Sequence, residues 1–418
     1  MNPILNSIIF DRIIINEIFK NIATSSGNPN SLFSCIFVNR RWYKSAIPFI
    51  WKDPCKILTR KIIDRNSAFC FISTVLKCIS IESKRTLRKE GILLEHHGGS
   101  LEVLPPVSDY PVFLEVLSPN ILCKCIAIWM NQSQQHSTDK RSVQYKEHIL
   151  QKEIFELFIN KRPSICALTL STQHMESNSN IIPSELLPYL SNSFEWLTKL
   201  RKFKHNVSNN NPPDIFFYAF SQHATNLESI KLWIDGDDNK GDQGIVALFE
   251  TQKNLKKLKI YSQRRSCLQI DNALFKVANT LKKLTLNHSL CVSPMPIKKF
   301  IGLESLTVNL SNGQETDSHS AEEFFVNLSS AYFKTLKVLN IKVVQKIRLA
   351  SITSFIRLNG RCLREFTLNC QPVDAYATKN FVEAIRNDCP NLKKMEISIY
   401  ENGPQLKKLL TMKRNSKT

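Results

Sequence analysis

The sequence predicts an α/β chain: a three-helix module at the N-terminus, a helical connector, and a solenoid of strand–helix repeats with a parallel, concave sheet. Three observations point there. Apolar residues recur at spacings of three and four from Ile14 to Ile22, the period of an amphipathic helix. Turn signals then divide the N-terminal stretch into short helical pieces. Far downstream, a Leu-x-x-Leu-x-Leu pattern, with any apolar residue at the last two positions, returns seven times between Leu227 and Ile397. The spans expected are 1–55 for the module, 56–160 for the connector, 161–410 for the repeats and 411–418 for a basic tail.

In the module, Ile14, Ile15, Ile18, Phe19 and Ile22 share one helix face, and Gly27, Asn28 and Pro29 end that helix. Ser31 is a plausible N-cap for a second helix that carries Leu32, Cys35, Ile36 and Val38. A third would carry Trp42 and Ala46 and stop before Pro48. So small a core commonly needs a partner, and two tryptophans among many isoleucines suggest an apolar surface to be covered. The plainer alternative is that these residues only form an internal core.

The connector is less legible. Ala68 to Lys89 reads as one helix and Glu147 to Asn160 as another. His97 to Ser100, Leu104 to Pro106 and residues 130–142 read as loops.

The seven copies begin at Leu227, Leu255, Leu281, Leu303, Leu336, Leu363 and Leu392, so the step runs from 22 to 33 residues. Five of the six steps fall within the period of about 20–29 residues of leucine-rich repeats. An earlier copy is Ile165-Leu168-Leu170, and a degraded one is read near Phe194-Leu197-Leu200. Each copy supplies a strand whose alternate side chains face inward, and segments such as Val246 to Phe249 and Phe381 to Ile385 supply the helices behind. No copy can bury its apolar face alone, but stacked copies form one core and a parallel sheet.

Residues that alternate with the buried leucines should line the concave face. They include Lys231, Trp233, Lys257, Lys259, Tyr261, Lys283, Asn287 and Asn309. Clustered cations flanked by aromatics suit an acidic or phosphorylated protein target. The alternative is an ordinary solvated surface, and the net charge of +20 favours it, because Lys is spread along the chain.

Composition narrows the rest. With 43% hydrophobic and 22% charged residues, the chain has the balance of a globular protein. The twelve cysteines have irregular spacings and no Cys-x-x-Cys pair, so they read as reduced, mostly buried thiols of a cytosolic or nuclear protein. The first apolar stretch is interrupted by Asp11, Arg12, Asn16, Glu17 and Lys20, so neither a signal peptide nor a membrane partner is expected. Gly236 and Gly241 are followed by Asp242-Gln243 where a P-loop needs Lys and then Ser or Thr. Asp235-x-Asp237-x-Asn239 begins like a calcium loop, but Lys240 and Val246 stand where Gly and Glu are required. No catalytic motif and no cofactor site is expected. Nucleic acid is disfavoured as a partner because the lysines are not interleaved with a regular aromatic platform.

Three stretches together resemble a known family. Phe10 to Phe19 is similar to the first helix of an F-box, with Phe10-Asp11-Arg12-Ile13 where the family usually has Leu-Pro-x-Glu. Ser31 to Trp42 and Ala46 to Pro54 resemble its second half and its close. Residues 56–160 resemble the segment that joins box to repeats in fungal-type F-box/leucine-rich-repeat proteins. Cys362, Cys370 and Cys389-Pro390-Asn391-Leu392 resemble the cysteine-containing repeats common in them. The resemblance implies a non-catalytic substrate-recognition subunit of an SCF-type cullin-RING ubiquitin ligase. Phe10, Ile14, Ile15, Ile18, Leu32, Val38 and Trp42 would lie in or near the interface with a Skp-type adaptor and, through it, the cullin, while the repeats bind the target. A ubiquitin-independent repeat scaffold for protein or nucleic acid is the alternative.

Overall fold

The computed structural model describes residues 14–22, 30–59, 63–94, 108–133, 140–161, 164–171, 194–206, 214–234, 242–262, 268–287, 292–310, 318–372, 377–399 and 410–413. Phe10 and the expected loops at 97–106 lie outside them. The chain divides into two compact units, Met1–Leu200 and Arg201–Thr418.

The first unit is largely helical. α1 (residues 14–22) is followed by α2 (Asn30–Ile36), α3 (Arg40–Trp51), α4 (Pro54–Leu58), α5 (Arg65–Cys78) and α6 (Ile81–Lys89). Phe19 is the buried anchor of α1, with Trp42 edge-on at 5.4 Å and Phe49 at 6.1 Å. Asn39 caps α3, its side chain accepting from the Arg41 and Trp42 amides at 3.0 and 2.9 Å.

Two expectations are corrected here. α3 does not stop before Pro48 but runs through it to Trp51. The carbonyl that a proline cannot reach is four residues back, on exposed Lys44, where water can satisfy it. The single helix expected from Ala68 to Lys89 is two helices. Ser80 has extended backbone and its hydroxyl accepts from the Ser83 amide at 2.9 Å, so a new helix starts there. Beyond them, α7 (Pro119–Ser133) and the 21-residue α8 (Lys140–Asn160) reach into both ends of the loop expected at 130–142, so the helix expected from Glu147 starts seven residues earlier, and β1 (Val116–Leu117) pairs in parallel with β2 (Ala167–Ser171). α9 (Phe194–Lys199) closes the unit.

The second unit is an α/β array. Strands β3 (Lys202–Asn206), β4 (Ser229–Ile234), β5 (Lys257–Ser262), β6 (Lys283–Asn287), β7 (Ser305–Leu310), β8 (Val338–Ile347), β9 (Glu365–Pro372) and β10 (Lys394–Ile399) pair in sequence order, all parallel. β11 (Leu410–Lys413) adds to β10 antiparallel, so residues 411–413 of the expected tail are an edge strand. Between strands lie α10 (Asp214–His223), α11 (Asp242–Glu250), α12 (Leu268–Leu274), α13 (Pro294–Ile297), α14 (Ser318–Leu328), α15 (Leu349–Asn359) and α16 (Thr378–Asp388). The shortest repeat step, 22 residues, has the shortest helix, the four-residue α13.

The degraded copy expected at Phe194-Leu197-Leu200 is in fact α9, and the strand follows it in the frame Leu200-Phe203-His205. A three-residue apolar step fits both a helix face and Leu-x-x-Leu, and a histidine in the last apolar position hid the true frame.

Buried amides tie successive turns together. Asn359 is 3% exposed; its Nδ2 donates to the Ala331 and Phe355 carbonyls at 2.8 and 2.9 Å, and its Oδ1 accepts from the Phe333 amide at 2.6 Å. Gln252 does the same work earlier, donating to Ala224 and Leu248 and accepting from Leu227. The next residue after Asn359 is Gly360, where an added Cβ would stand 2.6 Å from the Asp388 carbonyl oxygen, so the following turn needs glycine there. Asn359→Ala should orphan buried backbone groups at a cost of about 1–3 kcal/mol each. The check is the urea midpoint: a drop is expected, and a midpoint equal to wild type would mean the amide is dispensable.

Candidate functional site

Alternation along each strand sorts the sheet into two faces. In β4 and β7 every second residue is buried: Ile230, Leu232 and Ile234, then Leu306, Val308 and Leu310. These pack against the helices, as Phe203 does on Phe217 and Phe220, and Phe366 on Phe381. The intervening residues point away from the helices. All eight target-binding positions expected from the sequence are among them.

Register turns those positions into rows. Lys257 pairs with Lys283. Lys231 pairs with Lys259, and Trp233 with Tyr261. Tyr261 pairs with Asn287, and Asn287 with Asn309. Neighbouring members of a row are about 5 Å apart. The row through Lys231 also contains Lys204 of β3, which the misframed copy concealed. Three lysines, Lys204, Lys231 and Lys259, therefore occupy three consecutive strands.

The centre of the face is aromatic. Trp233 and Tyr261 stack with centroids 4.9 Å apart and planes 10° from parallel. The Lys231 and Lys259 ammonium groups lie 4.7 and 4.9 Å from the Tyr261 centroid, within cation–π range. Burial raises the Tyr261 phenol, but Lys259 and Lys231 outweigh it and hold the phenol below its usual range. Asn309 Nδ2 donates to Asn287 Oδ1 at 3.4 Å. Asn287 is 6% exposed, and its Nδ2 is a buried donor without a hydrogen-bond partner. The face thus offers cations held against a flat aromatic slab with an amide beside it. Such a surface can accept carboxylate or phosphate oxygens while burying apolar side-chain area.

Behind the slab lies His205, 1% exposed, near-parallel to Phe203 at 6.4 Å and edge-on to Phe217 at 5.6 Å. Burial lowers its pKa to about 4, and a hydrogen bond with the Trp233 backbone offsets this only in part.

The expected adaptor-binding residues divide. Ile14 and Ile18 are exposed at 44% and 41%, and Val38 at 58%. Ile15 and Trp42 are half-buried, Leu32 is buried in the unit's own core, and Phe10 lies outside the described residues. Phe37, at 83% exposure, is a large apolar group that the sequence reading passed over. No protein-family model matches the chain, and no curated protein sequence matches it. Among the described residues, no set of three or more His, Cys, Asp and Glu side chains could hold a metal, and no helix is long and apolar enough to cross a membrane. Ten cysteines are described, all free thiols; five are buried, while Cys70 and Cys362 are exposed, so the expectation of mostly buried thiols holds for half of them.

His205 makes the second unit acid-sensitive. Its folded pKa lies near 4, below the ordinary value of 6.5, so between those values the unfolded chain takes up a proton that the folded chain refuses. Stability is fully present above pH 6.5 and falls as pH drops toward 4, by up to about 3 kcal/mol. His205→Phe should flatten that slope by about one proton. Urea midpoints at pH 5 and pH 7 measure it, and an unchanged pH dependence in the variant would remove His205 as the cause.

Proposed function

We propose that this chain is the substrate-recognition subunit of an SCF-type cullin-RING ubiquitin ligase. One observation carries the reading: a single chain pairs the Ser31–Trp42 motif with a repeat array that turns a cationic, aromatic sheet face outward. The exposure of Ile14, Ile18, Phe37 and Val38 supports the first half, because a small helical module that leaves such groups in water gains by docking. The parallel, in-order sheet supports leucine-rich repeats as the second half. In this reading, the module holds the Skp-type adaptor and the sheet face holds an acidic or phosphorylated target. The chain itself performs no bond chemistry. It raises the effective concentration of the target near a charged ubiquitin-conjugating enzyme, converting a bimolecular step into an intramolecular one.

A ubiquitin-independent scaffold is the second reading, favoured by Phe10-Asp11-Arg12-Ile13 in place of the family's usual start. Co-purification of the full chain with a Skp-type adaptor separates the two. Ile18→Asp with Val38→Asp alters exposed groups, so the fold should persist while adaptor capture falls by at least about tenfold, the effect of removing a buried interface anchor. Capture that is absent in wild type favours the scaffold; capture that survives the double substitution removes Ile18 and Val38 from the interface.

The target half has its own test. Lys257→Glu with Lys259→Glu should leave adaptor capture intact and abolish capture of acidic targets. Phosphatase treatment of those targets before the pull-down should weaken capture by wild type. If the variant and the treated sample both capture as before, the sheet face is not the target site.

A further inference from the structure

A second cationic feature lies at the edge of the sheet where the strands begin. The residue immediately before each strand from β3 to β10 is Arg201, Glu228, Lys256, Lys282, Glu304, Lys337, Arg364 and Lys393 in turn. Each amide of this column donates to the carbonyl of the member before it, at 2.7 to 3.0 Å, so the eight residues climb the array as one ladder.

Along the first six members of the ladder a glutamate lies between two cations, twice in succession. Glu228 sits between Arg201 and Lys256, with ion pairs of 3.9 and 3.3 Å. Glu304 sits between Lys282 and Lys337, at 3.4 and 3.0 Å. After Lys337 the pattern stops. Arg364 and Lys393 follow with no acid between or beyond them in the column. Lys334 and Arg361, three residues upstream of Lys337 and Arg364, add two more cations at the same edge. Neighbouring strands are about 5 Å apart, so these like charges repel one another unless something anionic lies among them.

The space between them is shaped. A cavity of about 470 Å³ opens here, lined by these five cationic side chains and by Thr335, Cys362 and Asn391, with no acidic side chain in its wall. Each of those three neutral groups donates to a carbonyl of the preceding turn: Thr335 to Leu303 at 3.1 Å, Cys362 to Lys334 at 3.2 Å and Asn391 to Arg361 at 2.8 Å. The floor is therefore held by backbone contacts, and the cations stand around it.

We propose that this edge cavity binds a small anion carrying two or more linked phosphates. The two guanidinium groups can each grip a phosphate through two N–H donors, and the lysines supply point charges around them. The volume lies in the usual range for a small-ligand site, about 300–1,000 Å³, and exceeds what a single phosphate fills. No aromatic side chain lines the cavity, so a nucleobase would find nothing to stack on, and recognition rests on the phosphate chain. Inorganic tripolyphosphate and the phosphate tail of a nucleotide share that chemistry. The inference is independent of the ubiquitin-ligase reading, because the site uses none of the residues assigned to adaptor or target.

The test is calorimetric titration of the full chain with tripolyphosphate, alongside ATP, inorganic phosphate, a short duplex DNA and a phosphopeptide. One saturable site is expected, with tripolyphosphate and ATP at similar affinity and both at least about tenfold tighter than phosphate. Arg361→Gln with Arg364→Gln should weaken tripolyphosphate at least about tenfold without altering the thermal midpoint of the free protein, since both side chains are exposed. If that variant fails to fold, Lys334→Gln with Lys393→Gln replaces it. Lys257→Gln with Lys259→Gln on the sheet face should change nothing. The proposal is overturned by an absence of saturable binding, by an equal loss in the sheet-face variant, by tighter binding of the duplex than of tripolyphosphate, or by tighter binding of the phosphopeptide that is lost in Arg361→Gln/Arg364→Gln and kept in Lys257→Gln/Lys259→Gln. ATP binding much tighter than tripolyphosphate would overturn the phosphate-chain basis of recognition.

Discussion

Every feature of the second unit depends on the one-for-one register of its parallel strands. A strand such as Lys257–Ser262 has Leu258 and Ile260 on one side and Lys259 and Tyr261 on the other. Shifting it by one residue against β4 would put lysine into the core and leucine into water, so the apolar side enforces the pairing. From β3 through β7 the paired residues advance without a break, and a shift is found only beyond Lys342, near the end of β8. Because the register holds, a residue type that recurs at one offset within the repeat becomes a column in space. The buried amides of Gln252 and Asn359 reinforce this at two separate turns by joining each helix end to the turn before it.

The columns explain how so basic a chain tolerates its own charge. Two devices are visible. On the sheet face, lysines lie against the Trp233–Tyr261 stack, where the ring quadrupole partly compensates them and their apolar stems are covered. At the strand starts, a glutamate is inserted between two cations, twice in succession. These surface and partly buried pairs contribute little stability singly. Their pattern makes the two cations before β9 and β10, Arg364 and Lys393, stand out against the rest of the same ladder.

Much of this was legible in the sequence, for a physical reason. Seven apolar triplets in phase are buried together by a stacked α/β array with a parallel sheet, and strand alternation then fixes which lysines and aromatics share a face. What escaped notice were residues outside the apolar pattern. Lys204 was hidden because His205 fills a core position as a neutral ring among phenylalanines. The edge ladder was invisible because its members sit between the pattern's leucines, and only the backbone hydrogen bonds bring Glu304 within reach of both Lys282 and Lys337. In the first unit the errors came from single residues: Ser80 starts a helix inside an apolar periodicity, and Pro48 is carried inside α3, with exposed Lys44 at the position whose carbonyl it leaves open. The exposure of Phe37 could have been suspected from its place between α2 and the Asn39 cap.

A metal bridge across two strands measures the register directly. Thr285 and Thr307 are half-buried partners on adjacent strands β6 and β7; they continue the row of Lys231 and Lys259, with Thr285 the partner of Lys259, and point away from the helices. Replacing both with histidine should place two imidazoles about 5 Å apart, close enough to share one Ni²⁺ ion. With the register described, Ni²⁺ should raise the thermal midpoint of Thr285→His/Thr307→His by several degrees more than that of either single variant, because binding to the folded state alone stabilises it. A double variant that responds no more than the singles, or no more than Thr285→His paired with Asn309→His, would contradict the register and with it the rows and ladder built on it.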